Sequence, residues 1–139
     1  MKKLILALAA IGFITMAATT KMSLPTNKVV VKSEVSNEKY KACIAACNEC
    51  IKSCKVCESK CAKDEKMETC VKLCKDCVTA CKAAISAMTA NGENAKSECI
   101  ACAKACESCA VECEKYNNDH CKKCAADCRK AAKLCSEMK

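Results

Sequence analysis

Three observations predict an all-α fold, an antiparallel up-down-up-down four-helix bundle with a cysteine-lined core. From Tyr40 onward Ala, Lys, Glu and Cys dominate, and the 139 residues contain only two Gly and one Pro, a composition that favours helix. Within each of four series the cysteines recur at alternating intervals of three and four residues, broken only by the seven from Cys128 to Cys135, the period of an inward helical stripe. They fall into four series separated by short polar breaks, and short connections make successive helices antiparallel.

The chain opens on Met1-Lys2-Lys3, followed by an apolar run from Leu4 to Ala18 and small residues at Ala17, Ala18 and Thr19. This pattern predicts a signal peptide over 1–18. A spanning helix needs about 20 apolar residues, so no stable membrane span is expected. Residues 19–36 mix Lys, Thr, Ser and Asn with Pro25 and lack a helical period, which predicts a flexible lead. The bundle itself is expected over 37–139. Removal of the signal peptide would leave the mature protein exported, in a periplasmic or extracellular setting.

The first helix is expected from Asn37 to Lys63, a rise of roughly 40 Å. It carries Cys43, Cys47, Cys50, Cys54, Cys57 and Cys61 on one stripe. The second carries Cys70, Cys74, Cys77 and Cys81, and the same phase extends back to Met67 and on through Ile85 and Met88. Asp64 is placed to cap it and Asn91-Gly92 to end it. The third helix carries Cys99, Cys102, Cys106, Cys109 and Cys113. Asn117-Asn118-Asp119 separates it from the fourth, which carries Cys121, Cys124, Cys128 and Cys135, with Ala131 and Met138 in phase. Ile44, Ile51, Val71, Val78, Ile100 and Val111 flank the stripes and can serve helix packing or a homo-oligomer surface.

Charge excludes some partners. The formal net charge is +8, but Lys alternates with Glu and Asp between the cysteines, as on solvated helix faces. With one Arg, Arg129, and no aromatic platform, no nucleic acid partner is expected. One His and scattered carboxylates offer no acid-base pair, so no enzyme is expected.

Cysteine can act as a small hydrophobe, but Leu or Ile at these positions would bury more apolar area. A disulfide-stapled structural protein is a second reading, favoured by export. An odd number of cysteines cannot pair fully within one chain, and bridges along a helix would be strained. Metal binding is the third. Residues three and four apart on a helix bring Cβ atoms to about 5 to 6 Å. Two thiolates about 2.3 Å from a shared ion fit that spacing. Eight C-x-x-x-C pairs begin at Cys43, Cys50, Cys57, Cys70, Cys77, Cys102, Cys109 and Cys124.

Thiolates suit soft ions. A continuous array with only His120 differs from isolated zinc sites, and no C-x-x-C-H haem motif is present. Cu(I) fits best, because about one monovalent ion per thiolate leaves a buried array nearly neutral. The expected cargo is therefore multiple Cu(I) ions, on the order of one per cysteine. Detoxification of Zn, Cd, Ag or Hg is the alternative use of the same sulfurs.

The repeated C-x-x-x-C and C-x-x-C spacing from Cys43 to Cys135 resembles the bacterial copper storage protein family. The resemblance implies Cu(I) held in bulk by thiolates along a bundle axis, no catalysis, a homo-oligomer in many members, and Met or His near an open end. Partners would be copper ions and a copper-delivering or copper-receiving protein. Antiparallel order places Met67, Tyr116 and His120 at one mouth, where thioether and imidazole are weaker Cu(I) ligands than bridging thiolates. Met67 and His120 are therefore the candidate uptake residues, against the plainer roles of core plug and solvated first turn.

Overall fold

The computed structural model describes residues 28–138, with side-chain surroundings from Glu38 to Met138. The segment read as a signal peptide, 1–18, and the lead as far as Asn27 lie outside the described residues. Four helices follow in order: α1 (Lys28–Cys61), α2 (Glu68–Thr89), α3 (Ala95–Cys113) and α4 (Asp119–Ser136), with one 3₁₀ turn (Glu65–Met67) before α2.

Helix α1 starts at Lys28 instead of Asn37, so helix reaches into the segment expected to be a flexible lead. No Gly or Pro stands between Pro25 and Cys61 to stop it. The β-branched Val29-Val30-Val31 disfavours helix by only about 0.5 kcal/mol per residue. Propagation from an existing helix is far easier than nucleation, so local propensity this weak does not end the element.

The helices form a closed ring. Each packs on its neighbour in sequence, and α1 closes the ring against α4. All 19 cysteines turn inward and are fully inaccessible. Beside them the core is filled mainly by alanine, with Ala84, Ala110 and Ala131 also at 0 % exposure, so opposing backbones approach without bulky side chains between them. Met67 (5 %) and Met88 (2 %) fill the two ends of the α2 stripe. Ile44, Ile51 and Val71 are half-buried against this core and Val78 is buried, whereas Val56, Ile100 and Val111 are exposed.

The turns have identifiable chemistry. Asp64 caps the 3₁₀ turn ahead of α2, accepting from the Lys66 amide at 3.0 Å. Asn91, with φ of 49°, takes the left-handed position after α2. Gly92 N–H then reaches Ala87 C=O at 3.0 Å and Asn91 N–H reaches Met88 C=O at 3.1 Å, the paired bonds of a Schellman ending. Asn118 occupies the extended N-cap position of α4.

Polar ties on the outside join neighbouring helices. Arg129 of α4 grips Glu114, at the end of α3, with two bonds of 2.9 and 2.8 Å, and also pairs with Glu107. Ser53 of α1 donates to Asp127 of α4, which Lys123 also holds at 2.8 Å. Such exposed ion pairs add little net stability and act mainly as geometry. Among the described residues, no helix is long and apolar enough to cross a membrane.

Because Ala84 sits at 0 % exposure against the sulfur array, added volume there has nowhere to go. Ala84→Leu is expected to destabilise the metal-free bundle by about 1–3 kcal/mol, measured by urea unfolding under reducing conditions.

Candidate metal centre

The heptad spacing delivers every predicted cysteine to one axis, where their sulfurs touch from end to end. At the end holding the start of the α1 series, Cys43 lies 3.2 Å and Cys47 3.6 Å from Cys135 of α4. Midway, Cys50 meets sulfurs from all three other helices: Cys128 at 3.4 Å, Cys77 at 3.5 Å and Cys106 at 3.9 Å. Toward the other end, Cys57 contacts Cys70 and Cys121 at 3.7 Å and Cys113 at 3.9 Å. All 19 are free thiols in this structure.

Spacing within a helix accounts for part of this. Sulfurs four residues apart close to 3.9 Å at Cys50–Cys54, 3.8 Å at Cys57–Cys61 and Cys102–Cys106, and 4.0 Å at Cys124–Cys128. Contacts between helices are as close or closer, including Cys77–Cys106 and Cys81–Cys102 at 3.5 Å. The natural unit is thus a group of four drawn from several helices, more than a C-x-x-x-C pair. Cys54, Cys109, Cys124 and Cys128 form one such group, and Cys57, Cys70, Cys74 and Cys113 another, each with all sulfurs within 4.8 Å of one another.

One end differs in chemistry. His120, at the start of α4, places Nε2 3.4 Å from Cys61 Sγ, and these two join Cys57 and Cys121 in a mixed group. The imidazole is half-buried and also lines a surface groove with Ser53, Val56 and Lys123. Tyr116 lies beside this mouth, its hydroxyl 3.0 Å from the Lys66 carbonyl and 3.1 Å from the buried Glu112 carboxylate, sharing one proton between them. Lys115 neutralises Glu112 at 2.6 Å. The polar part of this clasp, Glu112 with Lys115, carries no motif in the sequence. Met67, read as an uptake residue, is buried under the turn that Tyr116 holds. Ile85, Tyr40 and Met138 are half-buried and pack on the core, with Met88 buried among its residues.

Most of the array resists ionisation as long as it holds no cation, while Cys50, Cys77, Cys102, Cys109 and Cys124 are shifted down within the hydrogen-bonded sulfur network. Burial, reinforced by neighbouring sulfur charge, pushes the thiols of Cys70, Cys99 and Cys121 above their ordinary value. Within the network, hydrogen bonds from Cys106, Cys128 and Cys54 favour the anion at Cys50. Cys54 is driven the other way by Cys109, Cys124 and Cys128. Where one sulfur is held as an anion, its donors are held neutral, so the set titrates together. A soft cation replaces those protons and removes the penalty.

Fold and site together define a class, the four-helix bundle whose core is a continuous thiol array. The sequence profile described as Csp, copper storage protein, matches residues 36–139. An uncharacterised cysteine-rich protein, YhjQ, of Bacillus subtilis strain 168 is 37 % identical over 105 residues, covering 73 % of this chain and 97 % of that one. Among solved structures, Cu(I)-bound copper storage protein BsCsp3 superposes with a TM-score of 0.69 at 36 % identity, over 72 % of this chain and 97 % of the other. Apo Csp3 from Bacillus subtilis gives 0.67 at 38 % identity, over 70 % and 95 %. This chain belongs to the copper storage protein family.

The direction of the thiol shifts fixes a pH dependence. An unfolded cysteine ionises near pH 8.5, while the raised thiols of the folded metal-free protein stay protonated beyond that. Above about pH 8.5 the folded state therefore binds more protons than the unfolded one, and stability falls as pH rises. The thermal midpoint of the reduced metal-free protein should decline from about pH 8.5 toward pH 10, as read by circular dichroism.

Proposed function

We propose that this bundle stores Cu(I) in bulk through its core thiolates. One observation carries the reading: all 19 cysteines are inaccessible and share one contiguous array, which only a soft cargo of low charge could fill. With bridging thiolates the capacity is on the order of one Cu(I) per cysteine, so each added positive charge meets one released proton. The role is non-enzymatic. The ligands are Cys43, Cys47, Cys50, Cys54, Cys57, Cys61, Cys70, Cys74, Cys77, Cys81, Cys99, Cys102, Cys106, Cys109, Cys113, Cys121, Cys124, Cys128 and Cys135.

Uptake is assigned to the mouth at His120 and Met67. His120 lies in contact with Cys61 and lines a surface groove, which supports a path from solvent to the first sulfurs. Export of the protein follows from the Met1–Ala18 pattern, and cell fractionation with sequencing of the mature amino terminus tests it.

Anaerobic titration of the reduced protein with Cu(I) against a chromogenic chelator tests the store. Saturation is expected on the order of one ion per cysteine, with protons released in step; saturation at only a few ions would sink the reading. A Met67→Ala, His120→Ala double variant should load at least about tenfold more slowly at an unchanged final capacity. Equal loading rates would remove the uptake assignment while leaving the store intact.

A further inference from the structure

We propose that Tyr116 latches the turn Glu65–Met67 over the mouth of the sulfur tube, and that Glu112, competing for the same hydroxyl proton, sets how often the latch opens. The hydroxyl lies 3.0 Å from the Lys66 carbonyl of that turn and 3.1 Å from Glu112 Oε1, and it has one proton to give. Partial burial, the Glu112 bond and the charge of nearby Cys70 and Cys121 push its pKa up to about 12, so it stays a donor. Among the described residues, no other hydrogen bond or ion pair ties the turn to α3 or α4. The Lys66 and Met67 amides both turn back to Asp64, inside the same connection.

The turn covers the last sulfurs of the tube. Residues 62–66 are exposed, but Met67 is buried and held inward in phase with Cys70. Cys61, just before the turn, is inaccessible yet borders a groove with Asp64, Glu65 and Glu68. Lifting the turn would open that groove onto Cys61 and bring the Met67 thioether to the surface. The Glu112 carboxylate, being charged, is the stronger acceptor and draws the proton away from the Lys66 carbonyl. Lys115, at 2.6 Å from the other carboxylate oxygen, tempers that pull. Whenever the proton turns to Glu112, the hydroxyl and carbonyl oxygens face each other with no hydrogen between them, and the turn is unlatched. One hydrogen bond of this kind changes a local opening equilibrium by about two- to tenfold. The latch therefore governs the rate of access and leaves the number of ligands as it is.

The latch concerns access to the sulfurs whichever soft ion fills them; its part in uptake rests on the proposed Cu(I) store. Its test is pulsed alkylation of the reduced, metal-free full chain with iodoacetamide, mapped by peptide mass spectrometry. Tyr116→Phe keeps the ring and removes the hydroxyl. It should raise labelling of Cys61, Cys70 and Cys121 about fivefold while Cys43, Cys99 and Cys135, at the far end, keep the parent rate. Glu112→Gln should act in the opposite direction, slowing labelling at the mouth at least about twofold, because the amide is a weaker acceptor and leaves the proton to Lys66. A plain packing role for the pair would make both variants label faster. Labelling that rises in both variants, changes equally at the two ends, or stays at the parent rate in either variant would overturn the latch. In Cu(I) titration Tyr116→Phe should load faster at unchanged capacity, and equal loading at full capacity would remove the latch from uptake. A parent capacity of only a few ions would instead remove the store and leave the alkylation result standing.

Discussion

Sulfur in contact with sulfur along a closed axis is the constraint on which the rest of this structure depends. An ordinary four-helix core is filled by Leu and Ile, which hold helices apart and supply most of the hydrophobic stabilisation. Here the axis holds cysteine along its length, with Met67 and Met88 at the ends of the α2 stripe, and the flanking positions hold mainly alanine, so the ring must close tightly enough for sulfurs to meet at 3.2–4.0 Å. The scarcity of bulky residues follows from that, since any large side chain on the inward face would open the ring and break the array.

The same constraint organises the electrostatics. Thiols packed together in a dry interior oppose one another's ionisation, and this is what makes the metal-free core a proton-rich array. Apart from Glu112, which Lys115 neutralises, the residues that carry formal charge are kept outside, where Arg129, Asp127 and Glu114 join α1, α3 and α4 without entering the core. At one end an imidazole replaces a thiol, and that single exchange changes both the charge and the accessibility of the last ligand group.

Much of the architecture could be read from spacing alone. Alternating intervals of three and four place Cys43 through Cys61 on one face because the α-helix repeats at 3.6 residues, and no tertiary information is needed to see it. The breaks at Asp64, Asn91 and Asn117 to Asp119 were legible for the same local reason. The start of α1 was not: Val29 to Val31 argues weakly against helix, while propagation from the downstream helix depends on the whole element. Which sulfurs meet across helices was also hidden. Cys43 with Cys135 and Cys50 with Cys128 depend on how far each helix is shifted along the axis, which a one-dimensional period does not contain. His120 could be assigned to an end from antiparallel order, but its fit among Cys57, Cys61 and Cys121 could not.

A core of nearly identical side chains has a further consequence, for alignment. Sliding one helix by a heptad, about 10 Å, would bring cysteine opposite cysteine again with little change in packing. Shape complementarity, which fixes a single arrangement in most bundles, discriminates poorly between such slipped registers. Selection among them therefore falls to the ends and the outside: the Asp64 cap, the Schellman turn at Asn91, the Tyr116 clasp on the Lys66 carbonyl, and the Arg129 and Ser53 cross-links. Ties that contribute little as energies thus decide which of several nearly equivalent sulfur tubes the chain builds.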